Sequence, residues 1–242
     1  MVSRSSIGSR LELISLIVPT LNEEAAFRGR PGRSLNAIRQ AWPEERFEII
    51  TVDAASRDQT RALAAEFSSQ VIVAPPEHRG RSRQMNLGAA AARGELLVFL
   101  HADTELTGNL HELDLFARTG ASWGRCRVQL SGSRRIFRVI ETMMEWRSRI
   151  SGVCTGDQVL VIRREVFEHL GGYDAIPLME DVAISKRLRR LAWPKRLPLI
   201  AHTSSRRWEE HGVWRTILLM WRLRLAYFFG ASPETLARRY AR

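Results

Sequence analysis

Several carboxylate and hydroxyl side chains directly follow the apolar segments of the sequence. Thr20 and Glu23 come at the end of the first apolar run, Asp53 ends the second, and Asp103 follows the fourth. In an open α/β sheet, ligands bind outside the carboxyl ends of the parallel strands. The spacing therefore predicts that these side chains meet at one edge of a sheet. Carboxylates gathered there can ligate a divalent cation or take a proton from a reacting hydroxyl.

Two further acidic segments and one basic loop add to this set. Glu180 and Asp181 stand where an amphipathic helix begins, so the helix dipole favours their charged forms. Asp157 follows Gly156 in a segment typical of a turn. Arg81 lies in the loop after the third apolar run, where a guanidinium can hold phosphate oxygens in a bidentate geometry. Each residue alone also fits an ordinary structural role, as a turn former, a first-turn acid or a surface arginine.

Short apolar runs bounded by turn residues predict the elements that position these groups. Runs of this kind are typical of buried parallel strands, and we predict strands over residues 13–18, 47–52, 70–74 and 95–100. Helical spacing lies between them, over residues 33–42 and 81–93 and from a capping box at residues 56–59. Beyond residue 104 we predict strands over 121–130, 158–162 and 197–201, and helices over 134–151, 165–170, 180–191 and 213–229, with a last helix capped by Ser232. The alternation predicts an α/β fold with a mostly parallel central sheet flanked by helices and a helical C-terminal extension.

The chain is strongly basic. Its 242 residues carry 37 Lys and Arg against 26 Asp and Glu, a formal net charge of +11, and all but two of the basic residues are Arg. Such a charge favours an anionic partner, which is a phosphorylated small molecule, nucleic acid or an anionic membrane surface. Two cysteines make no disulfide framework. The first ten residues lack the apolar run of a secretory signal, and no charge-free run of about 20 apolar residues occurs, so we expect a cytoplasmic protein.

Five motifs occur in an order and spacing that resemble one enzyme family. They are Pro19-Thr20-x-Asn22-Glu23-Glu24, Val52 to Thr60, Gln84 to Gly88, His101-Ala102-Asp103, and Glu180-Asp181 after Gly171 to Asp174. From about Leu13 to Tyr240, the chain resembles the inverting family 2 glycosyltransferases, which have the Rossmann-like GT-A fold. Residues 155–158 and 203–208 are further similar to a small bacterial subgroup named for radical-SAM/selenodomain association.

The resemblance implies a role for each residue singled out above. It implies transfer of a sugar from a nucleoside diphosphate to an acceptor hydroxyl with inversion, with Asp181 as general base and Asp103 as the contact to Mg²⁺ or Mn²⁺. The implied nucleotide-binding residues are Pro19, Thr20, Glu23, Asp53 and Arg81, and the implied sugar- or acceptor-binding residues are Asp157 and Glu180. UDP is a more frequent donor nucleotide than GDP in the family, and GDP stays open.

The sequence departs from the family pattern at two places. Ala54 and Ala55 stand where the family usually has two glycines, and alanine tolerates a positive φ poorly, so we expect this turn to differ. His101 replaces the first acid of the Asp-x-Asp motif. This leaves open whether His101, or His202 after the last strand, contacts the metal.

We expect a single domain over residues 1–242. Its nucleotide-binding half covers about 11–104, its acceptor half about 105–205, and amphipathic C-terminal helices about 206–242. The helix of residues 213–229 fits a membrane interface better than a spanning position, because an arginine at the bilayer centre costs about 2.5–3.5 kcal/mol. The residues expected to face lipid are Trp214, Leu218, Trp221, Leu225 and Phe228. That position is peripheral, at the inner, anionic face of the membrane, and suits a lipid-linked acceptor; the alternatives are packing on the core or on a homodimer partner.

Three other functions compete with the transferase. A catalytically inactive nucleotide-binding scaffold of the same fold is suggested by His101 and the two alanines. A nucleic-acid-binding protein would explain the net charge, but the arginines are scattered and no RNA-binding motif occurs, so we expect no nucleic-acid partner. A nucleotidyltransferase would need a Gly-rich phosphate loop after the first strand, and residues 19–24 contain no glycine.

Overall fold

The protein is represented by a computed structural model that describes residues 13–43 and 45–240. Within them, one eight-stranded sheet has the order β3-β2-β1-β4-β7-β6-β8-β5. The strands are β1 Ile14–Thr20, β2 Phe47–Asp53, β3 Gln70–Val73, β4 Leu96–Phe99, β5 Glu105–Thr107, β6 Trp123–Leu130, β7 Leu160–Arg163 and β8 Lys195–Thr203. The expectation about the first ten residues lies outside the described part of the chain.

The first four strands run parallel. β1 pairs with β2 and β4, and β2 pairs with β3. Every residue of β1 and β2 is buried, because alternate side chains of each strand enter hydrophobic cores on opposite faces of the sheet. The two strands end side by side, with Thr20 opposite Asp53. The predicted meeting of strand ends at one edge is confirmed here.

The second half of the sheet is mixed. β7 lies antiparallel between β4 and β6, β6 runs parallel to β8, and β5 pairs antiparallel with β8. The α/β fold with a central sheet flanked by helices is confirmed, and its parallel part is concentrated in the first four strands.

The described residues include eleven α-helices. They are α1 Glu24–Arg28, α2 Arg30–Ala41, α3 Thr60–Ala64, α4 Arg81–Ala91, α5 His111–Arg118, α6 Arg135–Ser151, α7 Arg164–His169, α8 Glu180–Leu191, α9 Arg206–His211, α10 Val213–Phe228 and α11 Pro233–Tyr240. The sequence did not predict β5, α1, α5 or α9, which are at most eight residues long. The hydroxyl of Ser232 accepts a hydrogen bond from the backbone nitrogen of Thr235, as predicted for the cap of α11.

Two local predictions were wrong. The capping box at residues 56–59 does not form, because α3 begins at Thr60 and the Ser56 hydroxyl instead donates to Asp53. The amphipathic spacing of residues 180–191 predicts Ile184, Leu188 and Leu191 on the buried side of α8; Ile184 and Leu188 are fully buried, but Leu191 is 51% exposed at the last turn.

The Ala-rich helix α4 packs very closely on the sheet. A Cβ at Gly88 would lie 2.6 Å from Cγ2 of Ile17 on β1, so only glycine permits this contact. The close approach brings the N-terminus of α4, with Arg81, toward the carboxyl ends of the parallel strands.

Two long helices bury one side and expose another apolar side. In α10, Val213, Thr216 and Leu223 are buried against α6, α8 and α11. All five residues expected to face lipid are exposed, from 58% for Leu218 to 74% for Trp214. Helix α6 likewise buries Phe137 and Ile140 and exposes the apolar residues Val139, Met143, Trp146 and Ile150. Among the described residues, no helix is long and apolar enough to cross a membrane.

Candidate active site

A cavity of about 440 Å³ opens at the carboxyl edge of the sheet. The predicted site residues that line it are Pro19, Glu23, Arg81, Asp103, Asp157, Glu180 and Asp181. They come from the ends of β1 and β4, the start of α4, the segment before β7 and the start of α8. Residues distant in sequence, including both predicted halves of the chain, thus meet around one space.

Thr20 and Asp53 are not among the residues that line the cavity. Asp53 is fully buried, and its Oδ2 accepts a 2.8 Å hydrogen bond from the backbone nitrogen of Ser56. Its Oδ1 accepts from the hydroxyls of Ser56 and Thr20. Both carboxylate oxygens of Asp53 therefore hold the turn after β2. Asp53 supports this turn and does not line the cavity.

Side chains bind the loops after β1 and β2 to each other. The backbone nitrogen of Asn22 donates to the Ser56 hydroxyl at 2.8 Å, and that of Glu23 donates to the Thr60 hydroxyl at 2.7 Å. The side chain of Gln84, on α4, donates to the carbonyls of Thr20 and Val52 at 2.9 and 2.7 Å. This network fixes the backbone that presents Pro19 and Glu23 to the cavity.

Backbone strain is concentrated near the cavity. Among the described residues, the non-glycine residues with positive φ are Asn22, Ala55, Val159 and Met179. They lie next to the ends of β1 and β2 and the starts of β7 and α8. Strain of this kind costs about 1–3 kcal/mol per residue and occurs typically at functional sites. Ala55, at φ 64°, keeps the left-handed conformation expected of the glycine it replaces.

The Asp181 carboxylate is held by backbone donors. Its Oδ2 accepts from the backbone nitrogen of Gly156 at 2.9 Å and its Oδ1 from that of Val182 at 2.7 Å. Met179, at φ 71°, turns the chain so that α8 begins with Glu180 and Asp181 in its first turn. The two donors fix the direction of the carboxylate, while each oxygen keeps a lone pair for a further partner.

Glu180 has a different environment from its neighbour. It is buried, and its carboxylate lies 3.8 Å from the guanidinium of Arg81. Burial and the charge of Asp181 raise the pKa of Glu180, and Arg81 opposes this. Burial lowers the pKa of Arg81, but Glu180, Asp157 and Asp181 outweigh it, so the net shift is upward. Arg81 is therefore a fixed cation among acids.

His101 contacts Asp157. Its Nδ1 lies 3.5 Å from Oδ1 of Asp157, and a Cβ at Gly156 would lie 2.4 Å from the imidazole Nε2. Burial raises the pKa of Asp157, but His101, Arg81 and Arg224 outweigh this effect and bring it below the ordinary value. His202 lies half-buried on β8 and is not among the cavity-lining residues.

Glu23 and Asp103 form a second acidic pair in the cavity. Burial, followed by the negative charge of Asp103, raises the pKa of Glu23 above its ordinary value, although Arg206, Arg81 and His101 oppose the shift. Oxygen ligands of this type suit Mg²⁺ or Mn²⁺. Among the described residues, no cluster of three or more metal-ligating side chains occurs, so a cation here would need further ligands from phosphate and water.

The sequence analysis did not assign a role to two arginines beside Asp181. Arg224, on α10, lines the cavity, and Arg147, on α6, lies behind Thr155 and Gln158. Burial and the charge of Arg224 lower the pKa of Arg147 to about 10. Burial also lowers the pKa of Arg224, against the effect of Asp181 and Asp157. Arginines inside an otherwise apolar helix were the signal for Arg224, but this signal did not separate Arg224 from Arg215 and Arg222; Arg147 had none, because α6 carries several other arginines.

Comparison with known proteins places this cavity in a family context. The sequence profile described as "Glycosyl transferase family 2" matches residues 15–170. The probable glycosyltransferase YdaM of Bacillus subtilis is 28% identical over 230 residues, which cover 84% of this chain and 53% of that protein. The chain thus spans about half the length of this curated relative.

Solved structures share the fold. The mannosyltransferase PcManGT of Pyrobaculum calidifontis, in complex with GDP-Man and Mn²⁺, aligns with a TM-score of 0.62 and 20% identity over 90% of this chain and 62% of that one. S. aureus TarS 1-349 in complex with UDP aligns with a TM-score of 0.62 and 18% identity over 80% of this chain and 61% of that one. Because the matched profile covers more than half of the sequence and spans the strands that build the cavity, the chain belongs to glycosyltransferase family 2.

Proposed function

We propose that this chain transfers a sugar from a nucleoside diphosphate donor to an acceptor hydroxyl, with inversion at the anomeric carbon. The observation that carries the proposal is the placement of Asp103, which follows β4, and Asp181, in the first turn of α8, on one cavity. A single displacement needs a base on the acceptor side and charge neutralisation on the leaving-group side. The same cavity offers both.

Asp181 is the proposed general base. Its carboxylate is oriented by the backbone nitrogens of Gly156 and Val182, in the first turn of α8. Glu180 suits this role less well, because it is buried and lies beside Arg81. We propose that Glu180 and Asp157 instead contact the sugar or the acceptor.

The donor side of the proposal rests on Asp103, Glu23 and Arg81. Asp103 would contact a divalent cation, Mg²⁺ or Mn²⁺, which would also relieve its repulsion with Glu23; burial, followed by this repulsion, raises the pKa of Glu23. When bound, such a cation supplies charge neutralisation at the departing diphosphate. Arg81 would hold a phosphate oxygen. Pro19 and Glu23 would contact the nucleobase and the ribose. Thr20 and Asp53 would support the loops that carry these contacts. The Mn²⁺ in the structural neighbour PcManGT supports this assignment.

The donor nucleotide is proposed as UDP in preference to GDP. The structural neighbours include complexes with UDP and with GDP-Man, so they support a nucleoside diphosphate donor without selecting one nucleobase. Within the family, we propose that the chain belongs to the radical-SAM/selenodomain-associated subgroup, on the basis of residues 155–158 and 203–208. The continuous sheet supports the proposal of one domain with a nucleotide half and an acceptor half.

We further propose that the protein works at the inner face of the cytoplasmic membrane. The exposed apolar side of α10 supports peripheral contact with an anionic bilayer, as do the exposed Arg215 and Arg222. Helix α10 also packs on the core through its other side, so core packing and membrane contact are compatible. A lipid-linked acceptor fits this location, and a homodimer through the same surface is the competing proposal.

A donor screen tests the proposed activity. Purified protein is incubated with UDP- and GDP-sugars and Mn²⁺, and release of free UDP or GDP is measured. We expect one donor to be hydrolysed slowly without acceptor and faster with membrane extract. Nucleotide binding with no release from any donor would favour the catalytically inactive scaffold, and binding of oligonucleotides alone would favour the nucleic-acid-binding alternative.

A further inference from the structure

We propose that Arg224, supported by Arg147, forms a subsite for the phosphate group of the acceptor. The inference rests on the proposed function and names the chemical class of the acceptor. The acceptor would be a phosphate ester whose hydroxyl lies at Asp181 and whose phosphate lies at Arg224.

The two guanidinium groups lack a direct charged partner. Among the described residues, neither has a carboxylate oxygen within 4.0 Å, and the only hydrogen bonds of Arg147 are long ones, 3.5 Å each, to Thr155 and Gln158. Its Nε is buried and makes no hydrogen bond. Both side chains are half-buried, and half-buried cations without a partner favour the approach of an anion.

The nearby acids do not neutralise this pair by contact. Asp181 is engaged by the backbone nitrogens of Gly156 and Val182, and Asp157 lies against His101. Arg224 therefore faces the cavity beside these carboxylates, with its hydrogen-bond donors available to a ligand. The planar guanidinium fork matches phosphate oxygens in a bidentate arrangement.

The location separates this subsite from the proposed donor phosphate site. The cations that act on Glu23, beside Asp103, are Arg206, Arg81 and His101. Asp181 and Asp157 act on both Arg81 and Arg224, but Arg224 is not among the cations that act on Glu23. Arg224 thus belongs to the side of the cavity that holds the proposed base.

Two sources could supply such a phosphate ester. One is a lipid that carries a phosphate and a free hydroxyl, since Arg147 and Arg224 lie on α6 and α10, two helices that each expose several large apolar residues. The other is a soluble sugar or polyol phosphate that enters from solvent. Both share the phosphate monoester chemistry, and the experiment separates them.

The test measures binding of three probes to the full chain by titration calorimetry. Farnesyl phosphate carries lipid and phosphate, farnesol carries only the lipid, and glycerol 3-phosphate carries only the phosphate. Each is titrated, below its aggregation concentration, into wild type, Arg224→Gln, Arg147→Gln and the exposed control Arg190→Gln. Arg224→Lys keeps the charge without the fork and serves if Arg224→Gln does not fold.

We expect farnesyl phosphate to bind at least tenfold more weakly to Arg224→Gln and several-fold more weakly to Arg147→Gln, with no change in Arg190→Gln. Farnesol should bind far more weakly than farnesyl phosphate. Equal, Arg224-dependent binding of glycerol 3-phosphate would support the subsite and assign it to a soluble acceptor. Binding of neither phosphate ester, or equal binding to Arg224→Gln, would overturn the proposal.

A parallel titration with UDP and Mn²⁺ keeps this result separate from the proposed function. UDP affinity should be the same in all variants. Loss of UDP binding in Arg224→Gln would assign the arginine to the donor and overturn the acceptor subsite. Absence of UDP and GDP binding in the wild type would instead count against the proposed transferase.

Discussion

The carboxylate of Asp53 accepts a hydrogen bond from the backbone nitrogen of Ser56, three residues further along the chain. This bond closes the turn after β2, in which Ala55 has φ 64°. The Ser56 hydroxyl also accepts from the backbone nitrogen of Asn22, so the same turn is attached to the loop after β1. The geometry of one side of the cavity therefore depends on a residue in a strained conformation.

Ala55→Gly should stabilise the protein. The left-handed conformation costs alanine about 1–2 kcal/mol, and Ala55→Gly removes this cost. About 0.5–1 kcal/mol of the gain is lost, because glycine makes the unfolded chain more flexible. We expect a net gain of about 0.5–1 kcal/mol, or about 1–4 °C in Tm for a chain of this size, measured by thermal unfolding. Ala54→Gly is the matched control, since Ala54 is buried without positive φ, and its Tm should fall. Equal shifts in both variants would show that strain at Ala55 is not the cause.

The elements that form the parallel half of the sheet could be predicted because burial on both faces leaves a simple signal. β1, β2 and β4 are continuous apolar runs, and their carboxyl ends must share one edge once the strands are parallel. That rule was sufficient to predict that Glu23 and Asp103 lie close together. It could not show that the Asp53 carboxylate accepts hydrogen bonds from Ser56, because the turn conformation depends on the fit between two loops.

The surroundings of Asp181 were less accessible to sequence reasoning. Its partner Gly156 and its neighbour Arg224 lie on segments far apart in the chain, and no periodicity relates them. Similarly, the apolar spacing in α6 does not reveal which side is buried. Ile140 is buried but Val139, Met143 and Ile150 are exposed, because α10 covers only one side of the helix.

Glu48→Gln should destabilise the protein in a pH-dependent way. Glu48 lies near the amino end of β2, away from the carboxyl ends that border the cavity. Burial raises the pKa of Glu48, but hydrogen bonds from Ser15 and Arg93 outweigh it and lower the pKa below 4.5. A carboxyl with a depressed pKa stabilises the fold above its unfolded pKa, and this contribution is lost as pH falls through the folded value. We expect a loss of about 1.5–3 kcal/mol at pH 7 that shrinks at pH 3, measured by urea unfolding.

The exposed Glu66→Gln is the control for that measurement. Its unfolding free energy should match the wild type at both pH values. A Glu48→Gln difference that stayed constant down to pH 3 would contradict the assigned ionisation.

Asp103→Ala should abolish the metal dependence of nucleotide binding and leave the fold intact, because Asp103 is only half-buried and lines the cavity. We expect the affinity for UDP in the presence of Mn²⁺ to fall at least about tenfold, or about 1.4 kcal/mol, measured by titration calorimetry. Glu77→Ala, an exposed acid outside the cavity, should behave as wild type. Unchanged affinity and metal dependence in Asp103→Ala would remove Asp103 from the site.

Trp221→Glu should reduce membrane association without changing nucleotide binding. Trp221 is 61% exposed on the apolar side of α10, and placing a charge there removes its favourable burial in the interface. Burying a large apolar side chain contributes about 1.5–3 kcal/mol, so we expect about a tenfold or larger drop in co-sedimentation with anionic vesicles. Leu115→Glu, on α5, is the control. If the wild type stays in the supernatant at low salt, α10 packs only against protein.

Asp181→Asn should lower turnover while leaving donor binding nearly unchanged. Asparagine keeps the size of the side chain but cannot take a proton from the acceptor hydroxyl, and general-base catalysis contributes about 10²–10⁴-fold. Donor affinity should persist, because the proposed donor contacts are made by other residues of the cavity, Glu23, Asp103 and Arg81. The measurements are turnover with the donor found in the screen, donor affinity, and the anomeric configuration of the product by NMR.

Asp174→Asn, a half-exposed acid near Arg187, controls for the loss of a negative charge, and its turnover should match the wild type. The product of the wild type should be inverted, because one base and one displacement leave no covalent intermediate. Near wild-type turnover in Asp181→Asn, or retention of configuration, would contradict the mechanism. The base would then be sought at Asp157, whose pKa is held low by His101 and Arg81, or at Glu180, whose pKa burial and Asp181 raise.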